Sequence, residues 1–221
     1  MGLSEADTRA KLIDPALHSR GWTEDLIRRE ETAPAIEIIE GRARRTPRGG
    51  RVDYVLRVLV RPETQPIAVA LIEAKPEESA PALGLEQCKA YARRMNVPFV
   101  FSSNGHQYVA YDCRTGMTSS PRMLSRFPTP DDLRSRYETA VGFSLDSDAA
   151  KPLLVRYPGG EAVRRYYQDA AIRAILEKFA RGENAVAGSV ELGHRLAGIG
   201  PGSAACTARH ALIVGGHARR P

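Results

Sequence analysis

Three residues, Asp53, Glu73 and Lys75, carry the most specific chemical suggestion in this chain. Two carboxylates beside an ammonium group are the side chains that hold a divalent cation such as Mg²⁺ and bring water onto a phosphodiester. Their spacing decides whether they meet. The runs Arg51–Val60 and Ile67–Lys75 flank the turn-like Arg61-Pro62-Glu63-Thr64-Gln65-Pro66. A hairpin centred near Glu63 makes Asp53 and Glu73 cross-strand neighbours, with Cβ atoms roughly 4.5–5.5 Å apart. Period-2 alternation then puts Lys75 on the face of Glu73, while Ile72 and Ala74 point to the other.

Crowded carboxylates repel and raise one pKa unless a cation joins them. The alternative is a half-exposed hairpin whose charges are simply solvated. Against it, Val52, Val55, Leu56, Val58, Ile67, Val69, Leu71 and Ile72 suggest strands buried on both faces, and buried acids need partners or a metal.

The elements around this hairpin read as a mixed sheet with helices on its sides, an α/β fold. Ser4, with Asp7 three residues on, predicts a capped first helix, broken or kinked at Asp14-Pro15 and ended at Gly21-Trp22. A short helix is expected over Glu24–Glu31 and a strand over Ile36–Ile39. Leu83 to Asn96 has a helical apolar stripe through Leu85, Cys88, Ala92 and Met95. Gln87 and Tyr91 share a face of that helix at i, i+4 spacing. Val97–Ser103 and Gln107–Asp112 read as strands joined by an Asn104-Gly105 turn. An irregular stretch over Thr118–Pro130 leads to a helix capped at Thr129 or Asp131.

The 221 residues allow one domain and an appendage. A 43% hydrophobic content supports a real core, and the net charge of +6 favours a polyanionic partner. Arg42, Arg44, Arg45, Arg48 and Arg51 fall in an acid-free loop running into Asp53. That loop either tracks a phosphate backbone or is merely solvated. Cys88, Cys113 and Cys206 form no CxxC or zinc pattern, so reduced thiols and a cytoplasmic setting are expected. No signal peptide opens the sequence, and no apolar run approaches a membrane span. Pro158-Gly159-Gly160 reads as a linker, and Glu161–Arg181 as an amphipathic helix. Residues 192–221 contain no Asp, Glu or Lys, which sets residues 183–221 apart as an atypical, disordered tail.

In this order, several segments resemble the N-terminal part of the restriction (R) subunit of type I restriction-modification enzymes, an endonuclease domain of the PD-(D/E)XK class. They are Glu5-Ala6-Asp7-Thr8-Arg9 with Ile13-Asp14 and Gly21-Trp22; Arg51 to Leu56; Ile67 to Lys75; Gln87 to Ala92; Val97 to Gly105; and Phe127-Pro128-Thr129-Pro130. The resemblance spans about residues 4–181 and implies a restriction-endonuclease-like sheet over 1–145. It implies Asp53 and Glu73 as Mg²⁺ ligands and Lys75 as the catalytic lysine. Val52 stands where the family usually has proline. Gln87 and Tyr91 match the family's QxxxY motif, which supports cleavage near the metal; on residue types alone they are a helix-packing pair. Glu5 is similar to an acidic residue near the active site of many such nucleases.

Arg165-Tyr166-Tyr167-Gln168 is similar to the opening of the helicase-like motor of these subunits, where the glutamine reads the adenine edge of ATP. Residues 146–182 would then be a linker and a helix leading toward that motor. No GxxxxGK[ST] loop follows, so ATP is expected only in a full-length subunit. Read one base later, codons allowed for Glu191–Arg195 can encode Ser-Leu-Ala-Thr-Gly, similar to the approach to that loop, as a frameshift would produce. The implied partners are double-stranded DNA and the modification and specificity subunits. The competing expectation is a non-catalytic module that binds nucleic acid or a subunit on the same fold.

Overall fold

In a computed structural model of the chain, residues 2–33, 36–39, 42–45, 50–156 and 166–182 are described, with side chains for 2–32, 50–156 and 173–182. The Pro158–Gly160 linker and the 183–221 tail lie outside them.

The first helix obeys its cap and overrides its breaker. Ser4 Oγ accepts the Asp7 N–H at the start of α1 (Glu5–Thr8). A π-helical turn, Arg9–Ile13, continues directly into α2 (Asp14–Ser19). The helical run is thus not interrupted at Asp14-Pro15, where a break or a kink is expected; the irregularity takes the form of the π-helical turn just before it. Pro15 would collide with the carbonyl four residues back in a regular helix. The wider turn, in which the Asp14 N–H reaches the Arg9 carbonyl, takes up that conflict.

The helix expected at Glu24–Glu31 is also corrected: Ile27–Ala33 is a strand, β1, antiparallel to β4 (Gly50–Val58). Eight residues are too few to hold a helix alone, and the open edge of β4 supplies backbone partners they otherwise lack. The expected strand Ile36–Ile39, β2, pairs with β3 (Arg42–Arg45), so part of the anticipated Arg-rich loop is a strand. Arg48 lies outside the described residues.

The main sheet has the order β1-β4-β5-β6-β7-β8, where β5 is Ile67–Ala74, β6 Phe99–Ser103, β7 Gln107–Asp112 and β8 Arg122–Met123. Only β5 and β6 are parallel. Their crossover is α3 (Leu85–Met95), ended by Asn96 in the left-handed conformation. This helix covers one sheet face. Its Leu85, Cys88, Tyr91, Ala92 and Met95 pack on Val55, Leu71 and Val100. The other face carries the larger core, where Trp22, Tyr54, Ile72, Phe101, Phe127 and Tyr137 are buried. There α4 (Pro130–Val141) begins with a full capping box, Thr129 and Asp132 bonding each other's backbone N–H.

The C-terminal elements join the same core through Leu153 and Leu154 of α5 (Lys151–Leu154) and Leu176 of α6 (Tyr166–Ala180). Glu177 accepts the Tyr137 hydroxyl at 2.6 Å, and Arg173 donates to the Met95 carbonyl at the end of α3. Gln168 lies on α6, and its side chain is outside the described set.

Candidate active site

The sheet register brings Asp53 and Glu73 together. The β4–β5 ladder pairs Tyr54 with Ile72 and Val55 with Leu71; continuing that register one position past its last rung sets Asp53 opposite Glu73, and the Asp53 carboxylate reaches the N–H of Ala74 next to it. A bulge at Leu56/Arg57 shifts only the turn-ward end. The alternation is also as expected, since Ile72 and Ala74 lie in the core on the opposite face from Leu71. Both acids lie on strands rather than in a loop: Glu73 is paired with Ser102 of β6, and Asp53 sits beside the Tyr54–Ile72 rung of β4.

The bonds around the two carboxylates differ. Asp53 Oδ2 accepts the Ala74 N–H across the ladder at 2.7 Å, and Oδ1 accepts Arg9 Nη1 at 3.2 Å. Glu73 Oε1 accepts Lys75 Nζ at 2.9 Å, and the same ammonium lies 3.7 Å from Glu5 Oε2. Glu73 Oε2 is buried with no hydrogen-bond partner among the described residues. The Glu73 side chain is 4% exposed, against 12% for Asp53 and 13% for Lys75.

Burial dominates the electrostatics. It pushes the Glu73 carboxyl up to about 7; the Lys75 bond opposes this and the Asp53 charge adds to it. Asp53 is also raised by burial, with the Ala74 N–H and Arg9 working against the shift. For Lys75 burial pulls downward, but Glu73, Glu5 and Asp53 outweigh it and its pKa rises.

Gln87 and Tyr91 lie one turn apart on α3, where Gln87 Nε2 donates to the Tyr91 hydroxyl at 3.1 Å. That hydroxyl fills the space above Gly50, at the start of β4, where a Cβ would come within 2.0 Å of it. Among the described residues neither side chain bonds to Asp53, Glu73 or Lys75. Tyr91 thus packs against the first residue of the strand carrying Asp53.

Sequence reasoning missed four residues. Arg9 shares a helix face with Glu5 at i, i+4 spacing, a signal that was available. Glu30 was assigned to a helix. Gly84 and Ser102 gave no sequence signal: Gly84 lies against the site, where a Cβ would meet Glu73 Cγ at 2.6 Å and Lys75 Cε at 2.8 Å, and its N–H donates to Ser102 Oγ.

Among the described residues no group of three or more His, Cys, Asp or Glu side chains is arranged to hold a metal ion. Asp53 and Glu73 nevertheless suit a hard divalent cation that keeps several waters. They are adjacent oxygen donors, and one buried oxygen has no partner among the described residues. No described helix is long and apolar enough to cross a membrane. Among the described cysteines, Cys88 and Cys113 are free thiols.

No protein-family model matches the chain. It is 30% identical over 194 residues to the endonuclease subunit of the type I restriction enzyme EcoAI from Escherichia coli, covering 83% of this chain and 23% of that subunit. The chain therefore spans about a quarter of the length of the curated relative it matches. A solved fragment, described as that of an HsdR subunit of a type I restriction enzyme from Vibrio vulnificus YJ016, superposes with a TM-score of 0.63 at 32% identity. That match covers 82% of this chain and 33% of the other. Over most of its own length, this chain is homologous to a segment of the endonuclease (HsdR) subunits of type I restriction enzymes.

Proposed function

We propose that the chain is the DNA-cleaving unit of a type I restriction R subunit, a PD-(D/E)XK-type endonuclease that hydrolyses phosphodiester bonds with Mg²⁺. The observation that carries the reading is the convergence of Asp53, Glu73 and Lys75 at one point of the sheet, with Glu73 Oε2 buried and without a partner among the described residues. Asp53 and Glu73 would hold the cation, which when bound supplies Lewis-acid charge and a more acidic water.

The chain's own residues do the rest. Lys75, tethered to Glu73 and flanked by Glu5, keeps a fixed positive charge beside the carboxylates, where charge grows on the phosphoryl oxygens. Tyr91 and Gln87 hold β4 in place, and so fix Asp53. The nuclease unit is taken as residues 1–145. Residues 146–182 lead toward an ATP-driven motor, in which Gln168 would contact adenine. Double-stranded DNA is the substrate, the modification and specificity subunits are the partners, and the cytoplasm is the setting.

A second reading, a non-catalytic binding module on this fold, draws on Arg9 and Lys75, which already pair with the two carboxylates. Incubation with supercoiled DNA and Mg²⁺ or Mn²⁺ separates the two. Lys75→Ala is expected to slow nicking by roughly 10²–10³-fold, as for loss of one charge-stabilising group. Replacement of Asp53, Glu73 and Lys75 together should abolish it. Equal cutting by wild type and the triple variant would sink the assignment. Absence of both cutting and Mn²⁺ heat in calorimetry would favour the binding module.

A further inference from the structure

Arg9 stands between two carboxylates. Its Nη1 lies 3.2 Å from Asp53 Oδ1 and its Nη2 lies 3.2 Å from Glu30 Oε1. The side chain is 22% exposed, and among the described residues its buried Nε has no partner, so the contacts there run through the two ends of the fork. It leaves the main chain at the first residue of the π-helical turn, a local widening that recurs at functional sites.

Glu30 is itself unusual. The β1–β4 ladder pairs Arg29 with Tyr54 and Glu31 with Val52 but skips the position between them, where Glu30 faces Asp53. There the backbone of Glu30 has φ +55°, the left-handed region that residues with a Cβ rarely adopt. Strain of this kind persists where surroundings enforce it and clusters at functional sites. Here it sits directly across the strand from a proposed metal ligand. Glu30 is also reached by Arg51, at 2.9 Å from Oε2, so the charges run Asp53, Arg9, Glu30, Arg51 with alternating sign.

We infer that Arg9 is a positioning residue that competes with a divalent cation for Asp53 and is drawn off toward Glu30 when the cation binds. The inference rests on the metal site proposed above. A guanidinium and a divalent cation repel each other and cannot both sit against Asp53 Oδ1 at full strength. The fork has a second carboxylate already within reach, so it yields Asp53 without becoming an unpaired, half-buried charge. Until then Arg9 holds the Asp53 carboxylate in place, with the Ala74 N–H as the other anchor.

The test is calorimetric titration of Mn²⁺ into the full chain, with the fluorescence of the single buried Trp22 confirming the fold of each variant. Arg9→Gln removes the competitor, and Mn²⁺ affinity is expected to rise on the order of tenfold, as for loss of one charge-assisted bond. Glu30→Gln removes the alternative partner and should weaken Mn²⁺ binding several-fold, on the order of half that effect in free energy. In the Arg9→Gln background Glu30→Gln should change nothing further, because Glu30 acts through Arg9. Unchanged or weaker Mn²⁺ binding in Arg9→Gln would overturn the inference, as would an equal Glu30→Gln effect with and without Arg9. If Asp53→Asn abolishes wild-type binding while Arg9→Gln leaves it unaltered, only this inference fails. If no variant binds Mn²⁺, the metal site itself fails and the inference goes with it.

Discussion

Replacing Glu73 with glutamine should stabilise the folded chain above neutral pH, although it removes a proposed metal ligand. Glu73 is 3% exposed, and its carboxyl is raised from 4.5 to about 7, chiefly by burial. The native state thus retains a proton that the unfolded chain releases between those values. Stability falls as pH rises wherever the native state binds more protons. The contribution of Glu73 is therefore fully present below pH 4.5 and lost as pH rises through about 7. The full shift corresponds to about 3 kcal/mol at pH 8.

Glutamine keeps a carbonyl to accept from Lys75 but carries no charge to bury. The bond it accepts is weaker than the charge-assisted one. Allowing for that loss, a gain of about 2 kcal/mol at pH 8 is expected, or roughly 4–8 °C in Tm for a domain of this size. Thermal unfolding followed by circular dichroism from pH 4.5 to 8, with a chelator, measures the difference between the two proteins. Groups titrating in both cancel. The gap should close toward pH 4.5. Saturating Mg²⁺ should narrow it at pH 8 by stabilising wild type alone. A variant no more stable than wild type at pH 8, or one with a pH-independent gap, would refute the claim that burial of this charge strains the fold.

Two further substitutions probe the support of the site. Gly84→Ala would drive a Cβ into Glu73 Cγ, Lys75 Cε and Ser102 Oγ, at 2.6, 2.8 and 2.9 Å; a loss of about 1–3 kcal/mol, visible in urea unfolding, should accompany weakened Mn²⁺ binding. Tyr137→Phe leaves Glu177 Oε1 without the hydroxyl that bonds it at 2.6 Å inside the core. About 1–3 kcal/mol should be lost in a single transition, whereas separate transitions would show that α6 unfolds apart from the sheet.

The site was legible because antiparallel register is arithmetic. A hairpin centred on Glu63 sets Asp53 opposite Glu73, and the rungs from Leu56–Ala70 to Tyr54–Ile72 keep that register even though the bulge at Leu56/Arg57 moves the turn-ward rungs off it; the apolar residues between them set the faces. The Asn104-Gly105 turn, and Thr129 as one of two candidate caps with Asp131, were legible for the same kind of reason, because each depends on side chains within a few residues. The misreadings have the opposite character. Whether Ile27–Ala33 becomes strand or helix depends on β4, whose paired residues lie 17 to 29 positions further along the chain. The chain passes Pro15 without interruption because the five residues Arg9–Ile13 form a wider turn, which no local propensity announces. Gly84 and Ser102 owe their place to the packing of α3 on β5 and β6, an event in three dimensions with no trace in spacing.

The charges around the site repeat one arrangement on both carboxylates. Asp53 is paired with Arg9, which is shared with Glu30, and Glu73 is paired with Lys75, which is shared with Glu5. An ion pair belonging to two groups alone, this deep in the protein, would be a static structural feature. Breaking it would leave one charge unpaired at a cost of several kcal/mol, on the order of 3–5. A cation shared with an outer, more exposed carboxylate avoids that penalty, since it keeps a partner when the inner acid is taken by another ion. Glu5 and Glu30 are 43% and 44% exposed, against 4% and 12% for the two inner acids. The gradient runs in the direction that exchange requires. The distances differ, 3.7 Å for Lys75–Glu5 against 3.2 Å for Arg9–Glu30. Arg9 is thus the better placed of the two cations to leave its inner acid. Lys75 stays bound to Glu73 at 2.9 Å, which suits the fixed charge proposed for it.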